Sequence, residues 1–425
     1  MTPPPLRPLS HRLLSIAAAF GTALLLSACG GGGGGTASAP TSTNSSNSAN
    51  VPSVSAVSGT NVVPVTIRQL TSNSTTLTAN SPYVSVTVCA SGGSTCQTIP
   101  DVLVDTGSAG LRLFSGALNS ATLSSLPPIA NGGGSLAACA QFASGYAWGS
   151  MRLASVQLGG MTSTTAIPVQ VMDDQALPSA PASCSSQGVD FAGNFYGIAN
   201  GILGISNFKY DCGAACARSA SNGVYFSCSG RTCTGTTAAT SQQGVNPVAT
   251  FATDNNGSIL QLPAVSIPNG APSAYGTLTF GIGTQSNNTL AAAQLYPLDA
   301  QGNLKLNLSG VVQTGFVDSG SNGYYLALSG VQTCSSAAGF YCPPQAFNLA
   351  VSLQASGGVA GTAQSITIGN AQSMFQTGNA ALPALGGTSA INGLVDLGLP
   401  FFYGRSIATG LEGTNSSAPN GFLLY

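Results

Sequence analysis

Val104-Asp105-Thr106-Gly107-Ser108 and Val317-Asp318-Ser319-Gly320-Ser321 are the same short phrase written twice in one chain. Each places an acid, a hydroxyl, a glycine and a second hydroxyl after an apolar pair, Leu103-Val104 or Phe316-Val317. Charged residues make up only 5% of the 425 positions, so an acid reused in a fixed setting stands out. A buried carboxylate with no partner is costly. Two acids delivered by matched apolar runs are therefore expected to meet. Facing carboxylates that share one proton can hold and polarise a water molecule.

The composition around these turns favours strands. A chain of this length suggests two or three domains, or one large bilobal unit. Hydrophobic residues reach 43%, and there are 55 glycines and 24 prolines. Lys and Glu, good formers of exposed helix, are nearly absent. Short apolar runs punctuated by Gly, Pro and Asn predict an all-β architecture. The formal charge is −1 without basic clusters, so nucleic acid is not an expected partner.

The N-terminal segment reads as an address rather than as fold. Arg7, His11 and Arg12 precede an apolar stretch from Leu13 to Leu26, closed by Leu26-Ser27-Ala28-Cys29. Residues 1–29 thus read as a bacterial lipoprotein signal cleaved before Cys29, whose sulfur would carry lipid. Gly30 rather than Asp after that cysteine points to the outer membrane. Residues 30–59, rich in Gly, Ser and Thr, cannot offset their ordering entropy and read as a flexible tether. Two lobes are expected beyond it, over 60–244 and 245–425.

Eleven cysteines minus Cys29 leave ten, an even number suited to an oxidising compartment. Close spacing pairs Cys89 with Cys96, Cys212 with Cys216, Cys228 with Cys233 and Cys334 with Cys342; elimination then joins Cys139 to Cys184. The only histidine, His11, lies in the leader. Ser-His-Asp and Cys-His catalysis and histidine metal sites are thereby excluded from the mature chain. No phosphate-cradling loop occurs, and Lys209 and Lys305 sit in no nucleophile setting. No metal or other cofactor is expected. Asp173-Asp174 reads as a solvated loop.

Each residue of the repeated turn has a task. Asp105 and Asp318 emerge from buried strands, fixed and partly desolvated. Thr106 and Ser319 can bond across to the opposite loop. Gly107 and Gly320 permit a tight turn and close approach, and Ser108 and Ser321 can donate to their own acids. The charged acid would then act as base toward water while the protonated one polarises a carbonyl.

With these residues in place, the chain resembles the pepsin-like aspartic peptidases. Leu103 to Leu111 and Phe316 to Ser321 look like that family's two catalytic turns. Asn200-Gly201-Ile202-Leu203-Gly204-Ile205 and Leu397-Gly398-Leu399-Pro400-Phe401-Phe402-Tyr403 are similar to the strands that thread behind them. Tyr275 to Gly281 resembles the strand that opens the second lobe. The likeness spans about residues 80 to 425 and implies a bilobal fold with a cleft between two pseudo-symmetric lobes. It implies a lipid-anchored endopeptidase acting on an extended polypeptide, monomeric and without a cofactor. The tether and texture also resemble a group of proteobacterial lipoproteins to which no activity is assigned.

Two departures concern the flap, the hairpin that covers the cleft in that family. Gln141 to Gly149 looks like this hairpin, yet Phe142 stands where the family carries a tyrosine. Arg112 stands where a tryptophan would bond to that tyrosine. Tyr146 and Trp148 could supply replacement contacts to substrate, or could simply pack the hairpin. Tyr324-Tyr325-Leu326 could line a pocket or pack a strand. Leu399 replaces an acid that often follows the Leu-Gly pair. These departures keep a second expectation open, a peptide- or glycan-binding lipoprotein on the same scaffold without catalysis.

Overall fold

The computed structural model describes residues 51–55, 57–70, 78–93, 95–194, 198–354, 358, 361–389 and 393–425. The leader, Cys29 and the tether up to residue 50 lie outside the described residues. The described chain is all-β and bilobal, with only short helices, such as Asn119-capped Ser120–Ser125 and Asn370-capped Ala371–Gln376, between strands.

Each lobe is built on one device used twice. In the first, the strand Cys96–Asp105 ends on its acid, turns, and returns as Ala109–Phe114. The strand Gly201–Ile205 slots between them, parallel to the outgoing strand and antiparallel to the returning one. In the second lobe Val311–Val317 leads into Asp318, Tyr324–Tyr325 returns, and Leu394–Leu397 slots between with the same two directions. The registers match residue for residue. Leu203 faces Val104 and Leu111, and Leu397 faces Val317 and Tyr324. Central strands buried on both faces read as continuous apolar runs. Val102, Val104, Leu203, Val395 and Leu397 are accordingly all 0% exposed.

The lobes share a platform. Val62–Arg68 leaves the first lobe to pair along its whole length with Ser273–Phe280 of the second. Gly257–Gln261, Ser406–Gly410, Phe422–Leu424 and Leu295–Pro297 continue that antiparallel sheet in order. Val63, Val65 and Ile67 alternate inward, the period-2 pattern of a strand with one face on the core. One continuous core from both lobes lies against it. The second lobe's own sheet has seven strands.

Five disulfides join Cys89–Cys96, Cys139–Cys184, Cys212–Cys216, Cys228–Cys233 and Cys334–Cys342, the pairing expected from spacing. Cys89 with Cys96, and Cys228 with Cys233, are directly opposed in adjacent strands. One expectation needs correction. Asp173 is exposed, but Asp174 is buried and pairs with Arg152 at 2.7 Å, so this acid belongs to the lobe interior. The Ser150 hydroxyl and the Ala176 N–H also donate to it, and with Arg152 they outweigh its burial to hold the carboxyl below the usual range.

Candidate active site

The two repeated turns meet between the lobes. At each, the glycine N–H donates to the inner oxygen of the acid two residues earlier: Gly107 to Asp105 Oδ1 and Gly320 to Asp318 Oδ1, both at 2.8 Å. The second hydroxyl donates to the other oxygen, Ser108 at 2.5 Å and Ser321 at 2.9 Å. Both carboxyls are thus held from within their own loops.

A reciprocal lattice locks the loops to each other. Ser319 N donates to Thr106 Oγ1 at 2.9 Å, and Thr106 N donates to Ser319 Oγ at 3.1 Å. Each hydroxyl passes on to the opposite strand, Ser319 to the Val104 carbonyl and Thr106 to that of Val317. The glycines are needed for room. A Cβ on Gly107 would lie 2.7 Å from Asp318 Cγ, and one on Gly320 would lie 2.7 Å from Asp105 Oδ1. Each loop therefore packs its bare glycine against the other loop's acid.

The carboxyls of Asp105 and Asp318 lie side by side: a Cβ on Gly320 would be 2.7 Å from Asp105 Oδ1 and 3.2 Å from Asp318 Oδ1. Asp105 is 1% exposed and Asp318 is 0% exposed. Burial, then the neighbouring carboxyls of Asp105 and Asp396, hold Asp318 well above the ordinary carboxylate range, against the pull of the Gly320 N–H. These surroundings favour the neutral form of Asp318.

Gly134–Phe142 and Gly145–Leu158 form a hairpin, with Phe142 opposite Gly145 beside its tip. Phe142 is buried, stacked on Phe191 at 4.9 Å, with the Arg112 guanidinium 5.7 Å from its ring centre. Arg112 also donates to the Ala109 carbonyl and pairs with buried Asp211 at 3.4 Å. Tyr225 donates to Asp211 at 2.6 Å. Burial raises Asp211 to about 6 despite Arg112 and Tyr225. Tyr146 and Trp148 pack beside the Cys139–Cys184 bridge and Phe226; the Tyr146 hydroxyl reaches Asp190, and the Trp148 indole donates to the Pro178 carbonyl. Their rings serve hairpin packing. Tyr324 and Tyr325 are likewise buried strand residues.

Asp396 was not singled out by sequence. It is 2% exposed and lies opposite Phe316 and Tyr325, and burial leads the causes that hold its carboxyl well above the ordinary range. Its signal was present as an acid inside the apolar run Leu394-Val395-Asp396-Leu397, one residue before the stretch compared with the family strand. Among the described residues no group of three or more His, Cys, Asp or Glu is placed to hold a metal ion, and no helix is long and apolar enough to cross a membrane.

Among solved structures, the chain is similar to the aspartic proteinase from Irpex lacteus, with 16% identity and a TM-score of 0.48 over 85% of this chain and 96% of that one. No curated protein matches it. Residues 57–425 match the family described as "Protein of unknown function (DUF3443)", and the chain belongs to that family.

Proposed function

We propose that the protein is an aspartic endopeptidase, and one observation carries the reading. Two buried carboxyls, one from each lobe, are brought side by side where matched loops are locked together by reciprocal hydrogen bonds. Asp105 would take a proton from a water between the acids while Asp318 donates to the scissile carbonyl oxygen. Attack of that water gives a tetrahedral diol, which collapses as the leaving nitrogen gains a proton. The substrate would be an extended polypeptide lying across the junction of the lobes. In the same proposal the chain is tethered to the bacterial envelope through lipidated Cys29, with the residues before Pro52, whose carbonyl accepts from Tyr275 N, as a spacer.

A second reading is favoured by the near-complete burial of both acids and by the pinned hairpin: a peptide- or glycan-binding lipoprotein in which the lattice serves folding alone. One assay separates them. The purified protein is incubated with denatured protein substrate from about pH 3 to about pH 7, beside Asp105→Asn and Asp318→Asn. Cleavage with an acidic optimum, lost in both variants, supports the peptidase. Intact substrate at every pH supports the binding protein.

A further inference from the structure

The strand threaded behind the second turn carries an acid where its counterpart carries hydrocarbon. By register Asp396 occupies the place that Ile202 fills in the first lobe. Ile202 faces Leu103 and Arg112; Asp396 faces Phe316 and Tyr325. Ile202 is 0% exposed within an apolar cluster, so the fold itself asks only for an apolar side chain at this position.

Asp396 is nevertheless 2% exposed, and neither carboxyl oxygen has a hydrogen-bond partner at ordinary geometry. No ion pair among the described residues includes it. The titratable groups around it are the carboxyls of Asp105 and Asp318 and the phenol of Tyr325, whose hydroxyl is already given to Asn322. Ser321 lies against the end of the same strand: a Cβ on Gly398 would be 2.5 Å from the Ser321 carbonyl oxygen. The same strand also grips that loop: Leu399 N donates to the Ser321 carbonyl at 2.7 Å, and Asp318 N donates to the Leu397 carbonyl at 3.2 Å. An ionised carboxylate here would have neither cation nor donor to offset its desolvation. A neutral acid has a use, because its O–H can donate where a hydroxyl oxygen can accept.

We propose that Asp396 is a positioning residue that stays protonated, donates to Ser321 Oγ and so turns the Ser321 hydroxyl hydrogen onto Asp318 Oδ2. Three carboxyls then share two protons, one on Asp396 and one between Asp105 and Asp318. Burial and the neighbouring Asp105 carboxyl both favour the neutral form of Asp396, against the pull of Ser321. The kinetic consequence rests on the peptidase reading; the location of the proton does not.

The test uses the whole protein with Asp396→Asn, which keeps a donor and cannot titrate, and Asp396→Leu, which keeps only apolar volume. Infrared difference spectra of wild type against Asp396→Asn at about pH 7 should show a protonated-carboxyl band that the variant lacks. In the hydrolysis assay Asp396→Asn should keep the wild-type pH profile. Asp396→Leu should lose roughly tenfold in kcat at unchanged KM, as expected for one misdirected hydrogen bond. Absence of the protonated band overturns the proposal. So does an alkaline limb that falls by about one pH unit in Asp396→Asn, since that would mean a negative charge had been removed beside the acids. If the wild type cleaves nothing, the peptidase reading fails, and the infrared band alone still supports or overturns the protonated Asp396.

Discussion

The Arg112 guanidinium carbon lies 5.7 Å from the centre of the Phe142 ring. Both residues depart from the pepsin-like pattern, and they depart together into a new contact. A cation over an aromatic face is attracted by the ring's negative face. A buried guanidinium also needs an anion, and Asp211 supplies it with Tyr225 in support. Changes to Arg112 therefore reach two neighbours at once. In an Asp211→Asn background, a double-mutant cycle of Arg112→Met and Phe142→Leu should give a coupling of about 1 kcal/mol. A coupling near zero in urea unfolding would remove the contact from the account.

Asp211 gives that network a pH dependence of known sign. Burial lifts its carboxyl to about 6, so protonation in the folded state begins well above the unfolded value. Above that pH it is the anion Arg112 needs; below it, the acid is neutral. Arg112→Met in the wild-type background should cost roughly 3 kcal/mol at about pH 8, where it strands a buried charge. The cost should be smaller at about pH 5, where the acid already carries a proton. Equal losses at both pH values would contradict the pairing.

The acids at the junction set a broader trend in the same direction. Asp318 and Asp396 both have their carboxyls held well above the ordinary range, with burial as the leading cause. A raised group binds its proton more tightly when folded. Its contribution to stability is present in full below the unfolded pKa and is lost as pH rises toward the folded one. Thermal stability should therefore decline from about pH 4 toward neutrality, less steeply in Asp318→Asn and Asp396→Asn. A variant whose melting temperature falls in parallel with wild type would show that its acid does not titrate in that window.

Gly107 and Gly320 offer the most direct probe of the junction. Alanine at either would push a methyl to within 2.7 Å of the opposing carboxyl group. The loops would have to part, at a cost of about 1 to 3 kcal/mol for the overpacking. Separation of reacting groups on the order of 1 Å should lower hydrolysis roughly 100-fold. Gly235→Ala, whose nearest neighbour would be 3.7 Å away, is the control. Wild-type turnover in Gly107→Ala would mean that the two acids do not act as a pair.

The architecture was legible because its decisive residues are local. An acid at the end of an apolar run, with glycine two residues on, specifies its own turn, and its repetition announces two lobes. The cysteine pairing was legible for the same reason, since four bridges close short loops. Asp396 and Asp174 were not, because their burial depends on partners supplied by other strands. Nothing within Leu394-Val395-Asp396-Leu397 shows that Ser321 lies alongside, or that Ile202 is the matching residue. Arg112 and Phe142 were visible as two substitutions, but their contact needs the register that sets Arg112 against Ile202.

The hairpin carries the last prediction. Its first strand is bolted by Cys139–Cys184, and its tip pairs in parallel with Val189–Asp190 so closely that a Cβ on Gly145 would lie 2.1 Å from the Val189 carbonyl. The bridge spans 45 residues against 7 for Cys89–Cys96. Loop closure in the unfolded chain then makes the longer bridge the more stabilising, about 4 kcal/mol against about 2.5 kcal/mol. Cys139→Ser with Cys184→Ser should accordingly unfold at lower urea than Cys89→Ser with Cys96→Ser. If the hairpin must lift to admit a polypeptide, the same unbolted variant should cleave denatured protein faster at sub-saturating substrate, despite its lower stability. Slower cleavage would mean that the hairpin acts as a fixed wall, with substrate entering along the lobe junction instead.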